Sequence, residues 1–157
     1  MDMISAREAK ALTASSRSNR EHAEPDTLSE NAMSWALHNA EGRTHTRISL
    51  FAKYGRTSLS VKFAPGTKDG KGSGNSFYSD LAANSSTAIA DAICDIIYSR
   101  TQSLISPLQT ARLLNTYNAR LTKFIRDLER LGYDVRTGED EYGSSNLDDS
   151  TIIVSWE

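Results

Sequence analysis

Apolar residues recur along this chain with two different periods, and the change of period divides it. Thr27-Leu28-Ser29-Glu30 is a capping box, in which a hydroxyl takes one orphan amide of the first turn and Glu reaches back to another. The segment behind it sets Leu28, Met33, Trp35, Ala36, Leu37 and Ala40 at helical spacing, and Gly42 stops it. Upstream, Ser5-Ala6-Arg7-Glu8 is another such box and predicts a short helix over about 6–14. The polar run from Ser15 to Arg20, with nothing to bury, and then Pro25 separate the two helices. From Thr44 to Tyr54 the period falls to two: Ile48, Leu50, Ala52 and Tyr54 share one face, and Ser49 and Lys53 the other. Gly55-Arg56 then fits a type II′ turn, and Leu59, Val61 and Phe63 alternate along a return strand, so 44–63 reads as a β-hairpin.

After a Gly- and Lys-rich stretch over 65–76, a short helical segment is expected around Phe77–Ala83. Ser86 caps a helix carrying Ile89, Ile93, Ile96 and Ile97. Ser106-Pro107-Leu108-Gln109 combines an N-cap, a Pro at the first helical position and a capping-box Gln. The long helix that it opens, near 107–131, carries Leu114, Tyr117, Leu121, Phe124, Leu128 and Leu131 at spacing 3-4-3-4-3, with Gly132 as its left-handed stop. This stripe covers about 2.5 heptads, fewer than the 3–4 that argue a coiled coil. An intramolecular contact is therefore favoured over an oligomer seam, for which Leu114, Tyr117, Leu121, Phe124 and Leu128 are the candidates. Strands near Tyr133–Arg136 and Thr151–Trp156, joined by an acidic loop, close the chain. The expected order is α-α-β-β-α-α-β-β, an α+β domain with helices packed on an antiparallel sheet.

Composition changes this picture in one respect. Leu, Ile, Val and Phe supply 31 of 157 residues, just under the share of about 20% at which disorder becomes a concern, while a net charge of only -2 argues against disorder. One domain with a thin core fits, with residues 1–26 as a loosely attached arm and 65–76 as a flexible loop. The start is acidic and lacks an apolar core, so no secretory leader is expected. No stretch approaches the roughly 20 apolar residues of a membrane span. A single cysteine, Cys94, excludes a disulfide framework and fits a reducing compartment, the cytoplasm.

Charge is segregated. Between Arg43 and Lys71 stand seven bases (Arg43, Arg47, Lys53, Arg56, Lys62, Lys68 and Lys71) against one acid, Asp69. From Asp134 to the end stand seven acids against one base, Arg136. Three explanations compete: the two segments neutralise each other as neighbours in one sheet, they join copies head to tail, or the basic segment binds nucleic acid with the help of Phe51, Tyr54 and Phe63. A sequence pI of about 5.9, against values above about 9 for dedicated nucleic-acid domains, disfavours the last.

Enzyme signatures fail where they are tested. A Walker A motif around Lys71 would need Gly at 65 and Ser or Thr at 72, which are Pro65 and Gly72. A nucleophile elbow on Ser73 would need Gly at 71 and 75, which are Lys71 and Asn75. His22, His38 and His45 form no recognisable pair, Cys94 lies on an apolar helix face, and the terminal acids match no EF-hand spacing. Neither a cofactor nor a metal site is expected, and binding rather than catalysis is the expected activity. The candidate contacts are Arg47, Lys53, Arg56, Lys62, Lys68 and Lys71, with Phe51 as anchor.

Two stretches resemble small accessory proteins of tailed bacteriophages. One is Met3-Ile4-Ser5-Ala6-Arg7-Glu8-Ala9; the other is Leu128-Glu129-Arg130-Leu131-Gly132-Tyr133-Asp134-Val135 followed by Thr151-Ile152-Ile153-Val154-Ser155-Trp156. The resemblance implies a non-enzymatic product in the host cytoplasm that binds a host protein or defence component. It also admits a virion-associated subunit that self-assembles, and single-stranded nucleic-acid binding stands third.

Overall fold

A computed structural model of the chain describes residues 5–63, 76–137 and 151–157, and for 11–21 the backbone alone. Its elements are α1 (Ala6–Lys53), β1 (Ser58–Lys62), α2 (Ser76–Ala83), α3 (Thr87–Ile97), α4 (Pro107–Arg130), β2 (Asp134–Thr137) and β3 (Thr151–Ser155). The fold is α+β with an antiparallel three-stranded sheet, ordered β1-β3-β2, so that the last strand is the central one.

The local signals act where the sequence places them. The Ser5, Ser86 and Ser106 hydroxyls accept the amides of Glu8, Ile89 and Gln109 at 3.1–3.2 Å, starting α1, α3 and α4. Gly132, at φ +99°, ends α4 with the Gly132 amide on the Glu129 carbonyl and the Tyr133 amide on that of Leu128, a Schellman motif.

The chain departs from expectation over its first third. The two predicted helices and the first strand of the predicted hairpin are one 48-residue helix, α1, which runs through the polar stretch, Pro25 and Gly42. Its buried stripe continues without interruption: Met33, Leu37, Ala40, Thr44, Ile48 and the half-buried Phe51 follow one another at intervals of three or four. Thr44, a polar position in that stripe, is buried because its hydroxyl donates to the Ala40 carbonyl at 2.8 Å, one turn back. No 44–63 hairpin forms. β1 pairs instead with β3, in the register Ser58↔Ser155 to Lys62↔Thr151.

Helices cover the inner face of the sheet, formed by Leu59, Val61, Val135, Ile152 and Val154, which joins Phe63, Phe77, Leu81, Ile93, Phe124 and Leu128 in one core. Polar contacts tie α1 to the other helices. Arg43 meets Asp80 of α2 at 2.6 Å, and Glu41 meets Arg120 of α4 at 3.2 Å. Asp26 accepts from both the amide (2.9 Å) and the hydroxyl (2.6 Å) of Ser106, the N-cap of α4. Residues 22–26 are thus anchored: the His22 Nδ1 lies 3.0 Å from the Leu104 carbonyl oxygen.

Candidate functional site

The basic segment, expected on a hairpin, is divided between the end of α1 and the strand that follows. α1 closes in a Schellman motif: the Gly55 amide donates to the Ala52 carbonyl and the Arg56 amide to that of Phe51, both at 3.0 Å, with Gly55 at φ +79°. This turn folds Arg56 back over α1, with its guanidinium carbon 5.4 Å from the Phe51 ring centroid. Phe51 packs its other side against the core. Lys53 and Arg56 are exposed, Arg47 is half-buried nearly two turns upstream of Lys53, and Lys62 is exposed at the far end of β1, no more than about 20 Å along the chain from Arg56. The structure therefore places five candidate contacts along one continuous strip of chain, the end of α1 and β1, with Lys53 on the helix face opposite Phe51. Lys68 and Lys71 lie outside the described residues.

Among the described residues β1 is an edge strand, and its register reveals which backbone groups face outward. The Trp156 amide donates to the Thr57 carbonyl at 3.0 Å, one step beyond Ser58↔Ser155. Hydrogen-bonded pairs alternate along an antiparallel ladder, so Thr57, Leu59 and Val61 bond to β3 while Ser58, Ser60 and Lys62 direct their N–H and C=O groups away from it. The side chains of those three residues are exposed too, and Leu59 and Val61 are buried. An unpaired edge of this kind is a template for another extended segment.

The cations of the described residues divide into paired and unpaired groups. Arg43, Arg100, Arg120, Lys123, Arg130 and Arg136 all lie within 4 Å of an Asp or Glu carboxylate. Arg47, Lys53, Arg56 and Lys62 have no such ion pair among the described residues. β1 does neighbour the C-terminal strand, but the residue opposite Lys62 is Thr151, which carries no charge. Arg7 and Lys10 near the start of α1, and Arg112 and Arg126 on the polar face of α4, are likewise without an ion pair among the described residues.

The five seam candidates face the interior of their own chain. Phe124 meets Phe63 and His45, with ring centroids 5.5 and 5.6 Å apart, and Tyr117 meets Phe77 edge-on at 6.5 Å. Leu128 is fully buried, and Leu114 and Leu121 pack against the core. With the stripe turned inward, the exposed side of α4 presents Asn118, Ala119, Thr122, Lys123, Arg126 and Arg130.

Of the chemistry-bearing side chains, the three histidines stand apart: His22 faces Leu104, His38 meets the Trp35 ring at 6.0 Å and His45 packs on Phe124. Among the described residues no group of three or more His, Cys, Asp and Glu is placed to hold a metal. No described helix is long and apolar enough to cross a membrane. Tyr78 donates to Asp91 at 2.8 Å, and burial together with that carboxylate pushes its hydroxyl above the usual tyrosine pKa.

Two features of the strip escape a reading by residue type. Tyr54, expected on the buried face of a strand, is 78% exposed between Lys53 and the turn. The outward amides of Ser58, Ser60 and Lys62 carry no compositional signal, since edge position depends on which strand pairs with which. No protein-family model, curated protein or solved structure matches the chain.

Proposed function

We propose that this chain acts by binding a protein partner through the strip formed by the end of α1 and β1. The observation that carries this reading is the grouping of unpaired charge: Lys53, Arg56 and Lys62 are exposed without an ion pair among the described residues and follow one another beside an edge strand, whereas Arg7, Lys10, Arg112 and Arg126 are unpaired on helix surfaces and six other cations each meet a carboxylate. Cations without an ion pair among the described residues are available to a partner's acids, where they speed encounter and select against basic surfaces. Phe51 under Arg56, with Tyr54 beside it, adds an aromatic element of the type that anchors interfaces. The resemblance to small accessory proteins of tailed phages makes a host protein or defence component, met in the host cytoplasm, the expected partner, and binding rather than catalysis the expected activity.

The test is charge reversal. Lys53→Glu, Arg56→Glu and Lys62→Glu together alter exposed positions and are expected to leave circular dichroism and the melting curve close to those of the parent chain. Captured from lysate of phage-infected cells, the parent should retain a partner identifiable by mass spectrometry, and the triple variant should lose it. Retention of the same partner by the folded triple variant would overturn the proposal.

A further inference from the structure

We infer that the partner contributes an extended acidic segment that adds as a fourth strand to the free edge of β1; the inference rests on the strip being the binding surface. Ser58, Ser60 and Lys62 offer outward N–H and C=O groups in the every-second-residue pattern that an added strand pairs with. Their side chains are exposed, and among the described residues no strand pairs with this edge. The opposite edge, β2, is less suited: it is one residue shorter, and its Asp134 and Arg136 already pair with each other at 3.4 Å.

Charge selects the occupant. Lys62 marks one end of β1, and Arg56 and Lys53 the other, so a second copy of this chain laid edge to edge would bring like charges together. An acidic segment removes that penalty at both ends. Alternation supplies the remaining specificity: residues beside Leu59 and Val61 continue the inner face and favour apolar side chains, whereas those beside Ser58, Ser60 and Lys62 face outward and favour Glu or Asp. The recognised class is therefore an alternating acidic–apolar strand of six or seven residues, a length set by the span of about 20 Å.

The full chain, labelled with nitrogen-15, can be titrated with an end-blocked heptapeptide of alternating Glu and Val. A peptide of the same composition with its Glu and Val residues in separate blocks serves as control. Binding of the alternating peptide alone, with about tenfold or greater slowing of hydrogen exchange at the Ser60 and Lys62 amides, is the expected result. Ser60→Pro removes one outward amide without removing a bond to β3, a substitution that edge strands tolerate, and should weaken the peptide by about tenfold. The exchange measurement on the parent chain decides the matter even if that variant folds poorly.

Binding that the Lys53, Arg56 and Lys62 reversals abolish, but that slows neither amide and survives Ser60→Pro, would overturn strand addition while leaving the basic surface as the binding site. Absence of binding, equal binding of the blocked peptide, or a peptide-free dimer with Ser60 already protected would each overturn the inference. Partner capture by the parent and its loss on charge reversal report separately on the underlying function.

Discussion

Ser99 shows how far one residue's backbone conformation carries a stability argument. α3 ends as α1 and α4 do, with the Ser99 amide on the Ile96 carbonyl (3.1 Å) and the Arg100 amide on that of Asp95 (2.6 Å). In the other two helices the residue at the left-handed position is glycine; here it is Ser99, at φ +58°. A side chain there costs roughly 1 kcal/mol, offset in part by the extra freedom that glycine gives the unfolded chain. Ser99→Gly should therefore raise stability by about 0.5 kcal/mol. Ser99→Val, β-branched at a positive φ, should lower it by about 1–3 kcal/mol. Urea titrations of both variants check the pair; equal stabilities would mean that the Schellman geometry is not maintained in solution. The same conformational preference accounts for the helix end found where a hairpin turn is expected. Gly55 at φ +79° suits a hairpin turn as well as a helix stop, and nothing at the residue itself separates the two.

At the scale of elements, α1 hides its continuity behind residues that ordinarily end helices. Gly42 is exposed, its φ is not positive and a Cβ there would meet nothing within 4 Å, so it is a helix-interior glycine with no steric reason to be one. Gly42→Ala should stabilise the protein by about 1 kcal/mol, read as a rise in melting temperature of roughly 2–4 °C; a fall would mean that the helix is interrupted there. The alternation of Ile48, Leu50, Ala52 and Tyr54 imitates a strand, yet only Ile48 among them is buried, and Leu50, Ala52 and Tyr54 are exposed. The true stripe passes through Thr44 and Phe51, and a threonine whose hydroxyl is satisfied inside its own helix does not read as a core position. Features set by local chemistry were legible: three serine caps, the Gly132 stop, the strands near 134 and 151, and the class of the fold. The basic composition of the candidate site was legible too. Its shape was not, because the pairing of β1 with β3 joins residues about ninety positions apart or more and leaves no trace in either segment alone.

Across the whole molecule, stability depends on how α1 is held against the rest of the chain at its least favourable point. Pro25 lies inside the helix, where it gives no amide to the carbonyl four residues back, a defect that costs about 3 kcal/mol in an isolated helix. The contacts beside it offset that cost. His22 approaches the Leu104 carbonyl, and the Asp26 carboxylate holds both the amide and the hydroxyl of Ser106, which in turn caps α4 through the Gln109 amide. One carboxylate thus organises the start of α4 and secures α1 just past its proline. It is also favourably placed by charge, near the positive end of the α4 dipole. Asp26→Ala should lower stability by about 2 kcal/mol, because it removes charge-assisted bonds and leaves the part-buried Ser106 amide without its acceptor. Asp26→Asn, which retains one acceptor oxygen, should cost about half as much. In a double-mutant cycle with Ser106→Ala, coupling of about 1 kcal/mol or more is expected, since each substitution removes a bond that the other also removes. Additive losses would mean that the two residues act separately, and α1 would then owe its attachment around Pro25 to apolar packing through Leu28, Met33 and Leu37 instead.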